Sequence, residues 1–253
     1  MALHERELAW QGCLNVRDLG GHLTRDGGET TYGAIVRADS VRLLTEAGWG
    51  ALVDYGIRTV LDLRGAHERD EDPPADVPVE VVHVPFMEAS ESEWDEIGPE
   101  IEQASAAAPD VATSTRDVYL IFLERFKANV AAAVRAVAHA REGGIVIHCV
   151  GGKDRTGLLA ALLLDLAGVS PQDIAADYAL SADRLRPRHE AWFAAADTEE
   201  ELERLRRIAQ TPAESMVGVF EELDRRYGSI DGYLRSAGLG DGELELAAAR
   251  LRA

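Results

Sequence analysis

The chain reads as an α/β protein built on a central, mostly parallel sheet with helices on both faces. Three observations predict this. The run Gly144-Ile145-Val146-Ile147-His148 is short, β-branched and almost continuously apolar, as a parallel strand buried on both faces requires. The run Leu158-Leu159-Ala160-Ala161-Leu162-Leu163-Leu164 is apolar all round, which suits a helix inside the core. Upstream of both, strand-like and helix-like segments alternate rather than cluster by type.

In chain order, residues 31–37 read as the first strand, and Thr45 is placed to cap a helix running to Tyr55. Residues 57–63 form the next strand. It ends in Asp62-Leu63-Arg64, and polar residues at strand ends of an open α/β sheet line the ligand crevice. A third strand is expected over residues 79–85. Residues 113–141 carry Val118, Ile121, Phe122, Phe126, Val130, Val134 and Val137 at helical spacing, so one long helix is expected to pack on the sheet. After the strand 144–149, Cys149 closes the strand and Thr156 or Gly157 opens the next helix. Ser170-Pro171 and Thr211-Pro212-Ala213-Glu214 each put a capping hydroxyl before a proline with an acid close behind, marking two further helix starts. Two stretches read as insertions: residues 86–112, acidic and then rich in Ala, Ser and Pro around Trp94, and residues 183–210, charged around Trp192 and Phe193. Long segments inside a compact domain often form lids, so each is either a helical lid over the site or an ordinary surface helix.

At 253 residues without internal repeats, one domain spanning 1–253 is expected. The amino-terminal stretch Met1 to Leu8 has no apolar signal core, and no run approaches a membrane span, so no stable membrane insertion is expected. Only two cysteines, far apart, fit a reducing compartment, and a cytoplasmic location follows as the expectation. The net charge of −19 repels polyanions at long range, which argues against a nucleic-acid partner. The densest basic run, Arg204-Leu205-Arg206-Arg207, follows Glu199 to Glu203, and at helical spacing these residues pair four apart on a solvated face.

Residues 148–157 read His-Cys-Val-Gly-Gly-Lys-Asp-Arg-Thr-Gly and lie between the buried strand and the buried helix. The start of a helix offers unpaired N–H groups and a favourable dipole to an anion. Gly151 and Gly152 let successive amides turn inward as a nest, and Arg155 supplies a planar fork for two phosphate oxygens. Cationic surroundings of this kind lower a cysteine's pKa, so Cys149 is expected to be a thiolate at neutral pH, facing a phosphate's phosphorus. Competing readings fare worse. No second Cys/His pair lies at zinc spacing, and Asp154 stands where a nucleotide-binding loop needs Ser or Thr.

Cys149-x5-Arg155 followed by Thr156 resembles the loop of the protein tyrosine phosphatase superfamily. The fuller string with Lys153-Asp154 resembles its bacterial tyrosine and lipid-like, dual-specificity phosphatase family. Asn15-Val16-Arg17-Asp18-Leu19-Gly20-Gly21, Val36-Arg37-Ala38-Asp39-Ser40, the strand Gly56 to Arg64 and the tail from Tyr227 to Leu239 are similar to further segments of that family, and Glu68 sits where it often has an acid. The resemblance implies a protein-tyrosine-phosphatase-like fold and a phosphomonoester hydrolase working through a cysteinyl-phosphate, with neither cofactor nor metal. Its substrates would be phosphotyrosine proteins, then phosphoserine/threonine proteins or phospholipid headgroups, with inorganic phosphate as product. Cys149 is the expected nucleophile and Arg155 the phosphate clamp. Val150, Gly151, Gly152, Lys153 and Thr156 are expected to bind substrate, with His148 and Asp62 in support. Lys153 would add charge for a second phosphate or an acidic neighbour, and Thr156 would donate to the departing thiolate. The general acid is expected to be Asp154, as the family implies, with Asp95 and then Glu88 as the alternatives on a mobile loop. Other thiolate enzymes fit less well. Arsenate reductases need resolving cysteines where only Cys13 exists, rhodanese-type sulfurtransferase loops lack the Lys-Asp-Arg-Thr run, and a non-catalytic phosphate-binding module would normally have lost Cys149 or Arg155.

Overall fold

In the computed structural model, which describes residues 6–72 and 77–252, the strands are β1 (Arg17–Asp18), β2 (Ile35–Ala38), β3 (Ile57–Asp62), β4 (Glu80–His83) and β5 (Gly144–His148). They form one sheet in the order β1-β2-β5-β3-β4. Only β1 runs antiparallel to its neighbour; β2, β5, β3 and β4 are mutually parallel. The helices are α1 (Glu46–Asp54), α2 (Ala66–Glu71), α3 (Glu91–Ala107), α4 (Val111–Arg125), α5 (Lys127–Ala138), α6 (Asp154–Leu166), α7 (Pro171–Ala194), α8 (Glu199–Ala209), α9 (Ala213–Tyr227), α10 (Ile230–Ser236) and α11 (Asp241–Ala249). Residues 1–5 of the stretch expected to lack a signal core lie outside the described residues.

Strand alternation divides the core between the two faces of the sheet. Ile35, Leu61, Ile145 and Ile147 enter the larger core, shared with Leu123 of α4, Val134 of α5, most of α6 and residues from α7 and α9 to α11. Val36, Val60 and Val146 enter a smaller one with Trp10, Leu44 and Leu52 of α1. Both faces of β5 are therefore buried, which is why its sequence is apolar without alternation. No helix among the described residues is long and apolar enough to cross a membrane.

Several element boundaries differ from the sequence reading. The strand expected over residues 31–37 begins only at Ile35, after a turn through Gly33 at φ +74°. The single helix expected over residues 113–141 is two, α4 and α5, separated at Phe126, whose backbone leaves the helical region at φ −110°, ψ 27°. Apolar spacing continues across that break because both helices bury the same side, so periodicity cannot register it. Phe126 itself is buried against Trp94 of α3, ring centroids 5.6 Å apart. The helix after the loop opens at Asp154, earlier than Thr156, with an acid in its first turn as the dipole favours. Thr45 and Ser170 cap α1 and α7 as expected, but Thr211 does not cap α9. Its hydroxyl bonds the Ala179 carbonyl at 2.9 Å and the Ala182 amide at 3.1 Å, tying α9 to α7 instead. The stretch 86–112 holds α3, which packs on α4, and 183–210 holds the end of α7 and all of α8. On α8 the ion pair is Arg206 with Glu199 at 3.5 Å, seven residues apart rather than four, on the solvated face expected.

Candidate active site

β5 lies in the middle of the sheet, and its last residue, His148, pairs with Ala38 of β2 and Asp62 of β3. Cys149 follows at the carboxyl edge, 2 % exposed, and the chain turns through Val150 to Lys153 before α6 begins at Asp154. The predicted strand-loop-helix joint is thus present, at the sheet edge where open α/β folds bind ligands.

The loop's shape is imposed from outside. The carbonyl of Val150 accepts from the Ser40 amide at 3.0 Å. Those of Gly151 and Gly152 accept from Asn15 Nδ2 at 3.0 and 3.1 Å, and the Gly152 carbonyl also accepts from Arg37 Nη2 at 2.7 Å. A planar trans peptide points its N–H opposite to its carbonyl, so three carbonyls drawn outward turn the amides of Gly151, Gly152 and Lys153 inward. Gly152 sits at φ +63°, and a Cβ there would lie 2.3 Å from the Ala38 carbonyl oxygen. Only glycine lets the loop approach β2 so closely.

The donors on Asn15 and Arg37 are themselves fixed in a buried network. Arg17 donates to Asn15 Oδ1 at 2.6 Å and to Asp177 Oδ1 at 3.0 Å, while Arg37 donates to Asp177 Oδ2 at 2.7 Å. Burial pushes the Asp177 carboxyl up, yet Arg17, Arg37 and Arg6 together hold it well below the usual carboxylate range. On the far side of the loop, Asp39 accepts from the amides of Leu14 and Asn15 at 3.0 and 2.9 Å and from Arg188 of α7. The motif Asn15 to Gly21 and the segment Val36 to Ser40, recognised in the sequence only as family-like strings, are the frame of the loop. Asp177 was missed altogether, since nothing in its helical surroundings marks it.

Arg155 is gripped by Glu68 of α2: Nη1 donates to Oε2, and Nη2 to Oε1 at 2.8 Å. This leaves three of the guanidinium's five N–H groups for another partner. Burial opposes the charge on Arg155, but Glu68 and the nearby Cys149 and Asp154 hold it above the ordinary arginine range. His148 is buried; its Nδ1 lies 3.0 Å from the Cys149 carbonyl and its Nε2 3.6 Å from Asp62. Burial lowers its pKa, which keeps the ring neutral. Asp62 lies beside the loop, held by Arg64 through contacts of 3.0 and 2.9 Å. Asp154 is half-exposed and accepts from Tyr119 of α4 at 2.6 Å. Lys153 is tucked inward and donates to the Ile208 carbonyl of α8, 3.6 Å from Asp154. Thr156 Oγ1 is buried without a hydrogen-bond partner among the described residues. Of the alternative acids, Glu88 accepts from the Ala66 amide at 3.0 Å at the start of α2, and Asp95 lies on α3, whose packing is against α4. Both cysteines are free thiols.

A model of the tyrosine phosphatase family matches residues 8–253. The chain belongs to the tyrosine phosphatase family. Family members are cysteine-dependent phosphatases, which sets aside the sulfurtransferase, arsenate reductase and non-catalytic readings. Among its relatives, the triple specificity protein phosphatase PtpB of Mycobacterium tuberculosis is 30 % identical over 270 residues, covering 94 % of this chain and 95 % of that protein. A tyrosine-protein phosphatase of Nostoc commune is 27 % identical over 230 residues, covering 86 % of this chain and 74 % of that protein. As a phosphatase the chain takes a phosphorylated substrate and releases phosphate.

Proposed function

We propose that this phosphatase cleaves phosphomonoesters through a cysteinyl-phosphate on Cys149, with phosphotyrosine proteins as its first substrates. One observation carries the reading: Cys149 and Arg155 stand at the two ends of a loop in which the carbonyls of Val150, Gly151 and Gly152 are drawn outward, which turns the amides that follow them inward between the thiol and the guanidinium. Cys149 Sγ attacks phosphorus in line, the S–P bond forms, and the bond to the leaving oxygen breaks as Asp154 gives that oxygen its proton. Arg155 and the inward amides carry the charge on the equatorial oxygens. In the second step water attacks phosphorus, Asp154 takes the water's proton, and the S–P bond breaks to release phosphate. Thr156, whose buried hydroxyl has an unused donor, stabilises the departing thiolate. His148, neutral and bonded at the Cys149 carbonyl, orients the loop rather than transferring a proton.

Phosphoserine/threonine and phosphoinositide headgroups are proposed as further substrates, in keeping with the printed triple specificity of the mycobacterial relative. The charge of −19 disfavours an anionic membrane surface and ranks the lipid substrates last. The end of α7 and α8 are proposed as the lid. Arg188 reaches the Val150 carbonyl at 3.4 Å, and Lys153 is bound to α8, so both touch the loop directly. Lys153 is thereby a link to that lid as well as a charge for a second acidic group.

The test is turnover of 4-nitrophenyl phosphate by the protein and by Cys149→Ser, followed by kcat/KM on phosphopeptides and phosphoinositides at matched concentration. Phosphate release lost in Cys149→Ser, with phosphotyrosine peptides turned over fastest, supports the proposal. Release independent of Cys149 overturns it.

A further inference from the structure

Asp154 does not stand alone. Tyr119 Oη lies 2.6 Å from its Oδ1, and Tyr178 Oη lies 2.9 Å from Tyr119 Oη. The two tyrosines come from α4 and α7, 35 and 24 residues from Asp154 in sequence, and both are buried while the carboxyl they meet is half-exposed. Their rings pack edge to face, centroids 6.0 Å apart at 81°. Tyr178 also packs on α6, where a Cβ at Gly157 would sit 3.2 Å from its ring. Burial raises both phenols, so both hydroxyls keep their protons.

We infer that Tyr119, backed by Tyr178, is a positioning residue for Asp154, fixing one carboxyl oxygen so that the other carries the proton to the leaving group. The hydroxyl count supports this. Each phenol has one hydrogen, and with the acid's proton on Oδ2 the other oxygen, Oδ1, can only accept. Tyr119 therefore donates to Oδ1 and Tyr178 donates to Tyr119, giving a chain of fixed direction. When Asp154 loses its Oδ2 proton to the leaving oxygen, negative charge develops on a carboxyl that already holds a donor in place, and a hydrogen bond to a charged acceptor is stronger than one to a neutral acceptor. The donor's contribution thus grows along the reaction coordinate, which is what raises kcat rather than ground-state affinity. Lys153 also approaches Oδ1, at 3.6 Å, so both neighbours act on the same oxygen.

The inference rests on Asp154 as the general acid, and the experiment separates the two. Tyr119→Phe, Tyr178→Phe, Asp154→Asn and the Tyr119→Phe/Asp154→Asn double variant are compared by kcat/KM, which reports the steps through cleavage of the ester bond, on phenyl phosphate, whose leaving group needs a proton, and on 4-nitrophenyl phosphate, whose leaving group does not. Tyr119→Phe is expected to lower kcat/KM about tenfold on phenyl phosphate and less than about twofold on 4-nitrophenyl phosphate. Tyr178→Phe, which leaves the direct bond in place, shows a smaller loss of the same selectivity. The double variant is no slower than Asp154→Asn. Circular dichroism and a Tm matching the parent certify that the variants fold. Equal losses on both substrates, or a full further loss in the Asp154→Asn background, would overturn the positioning role while leaving Asp154 as the acid. If Asp154→Asn itself loses kcat/KM equally on both substrates, the acid assignment falls and this inference with it.

Discussion

Glu68 holds Arg155 fork to fork, one carboxylate oxygen on each terminal nitrogen of the guanidinium. The pair joins α2 to the first turn of α6. Glu68 also accepts from the Gly65 amide at 2.8 Å, so its carboxylate is anchored at the start of α2 before it meets the arginine. Although burial pushes Glu68 up, Arg155 holds it below the usual glutamate range, so the pair stays ionised.

Glu68→Gln keeps the shape but faces one arginine nitrogen with an amide donor. We expect kcat/KM for 4-nitrophenyl phosphate to fall about 10- to 100-fold, with weaker inhibition by inorganic phosphate, because the fork loses its orientation. Unchanged phosphate inhibition would show that the loop alone orients Arg155.

The two loop glycines should respond unequally. A Cβ on Gly152 collides with the Ala38 carbonyl at 2.3 Å, and the backbone there is left-handed at φ +63°, whereas a Cβ on Gly151 meets nothing closer than 3.9 Å. Gly152→Ala is expected to lose more than about 100-fold in kcat/KM and to lower stability by about 2 kcal/mol or more. Gly151→Ala should stay within about threefold of the parent. Similar effects from both would mean that the close approach to β2 does not shape the loop.

Asn15 bonds two loop carbonyls and accepts from Arg17. Asn15→Ala leaves the Gly151 carbonyl and one Arg17 N–H without this partner while the Gly152 carbonyl keeps Arg37, so a loss of about 1–3 kcal/mol in unfolding free energy is expected together with reduced kcat. Asn15→Asp, which puts a carboxylate against two carbonyls, should be worse for activity than Ala. Denaturant unfolding and steady-state kinetics on the same samples check both.

Acid should destabilise the fold through His22. Burial, with help from Arg6, holds this side chain down at about 4, from an ordinary 6.5. Between those values the unfolded chain binds a proton that the folded one does not, so stability falls as pH drops from 6.5 to 4. His148, also lowered by burial, acts in the same direction. Asp177, held low by its arginines, adds a loss only below the ordinary aspartate value of 3.8. In His22→Gln the fall in Tm across the upper window should be smaller by about 5 °C. An identical fall in variant and parent would remove His22 from the explanation.

The β5-loop-α6 joint was legible because its chemistry is contiguous: a buried strand, two glycines, an arginine and a buried helix follow one another within residues 144–166. Local signals also placed the Thr45 and Ser170 caps. Relations between distant residues left no local trace. The frame from Asn15, Arg37 and Asp177 joins the segment just before β1 to β2 and α7, and no spacing rule connects those positions. Tyr119 lies between apolar residues of α4 and reads as core, since its one polar atom matters only when α6 brings Asp154 to it. The break at Phe126 escaped notice for a related reason, because helical periodicity persists on both sides of it.

The central claim is a phosphoryl group carried by Cys149, and acid quenching followed by peptide mass analysis tests it most directly. Asp154→Asn mixed with 4-nitrophenyl phosphate should accumulate the intermediate, because this leaving group departs unaided while the second step lacks its base. We expect one phosphoryl group on the peptide containing Cys149, and none in Asp154→Asn that also carries Cys149→Ser. A phosphoryl group on another residue, or full turnover by Cys149→Ser with no labelled peptide, would contradict it.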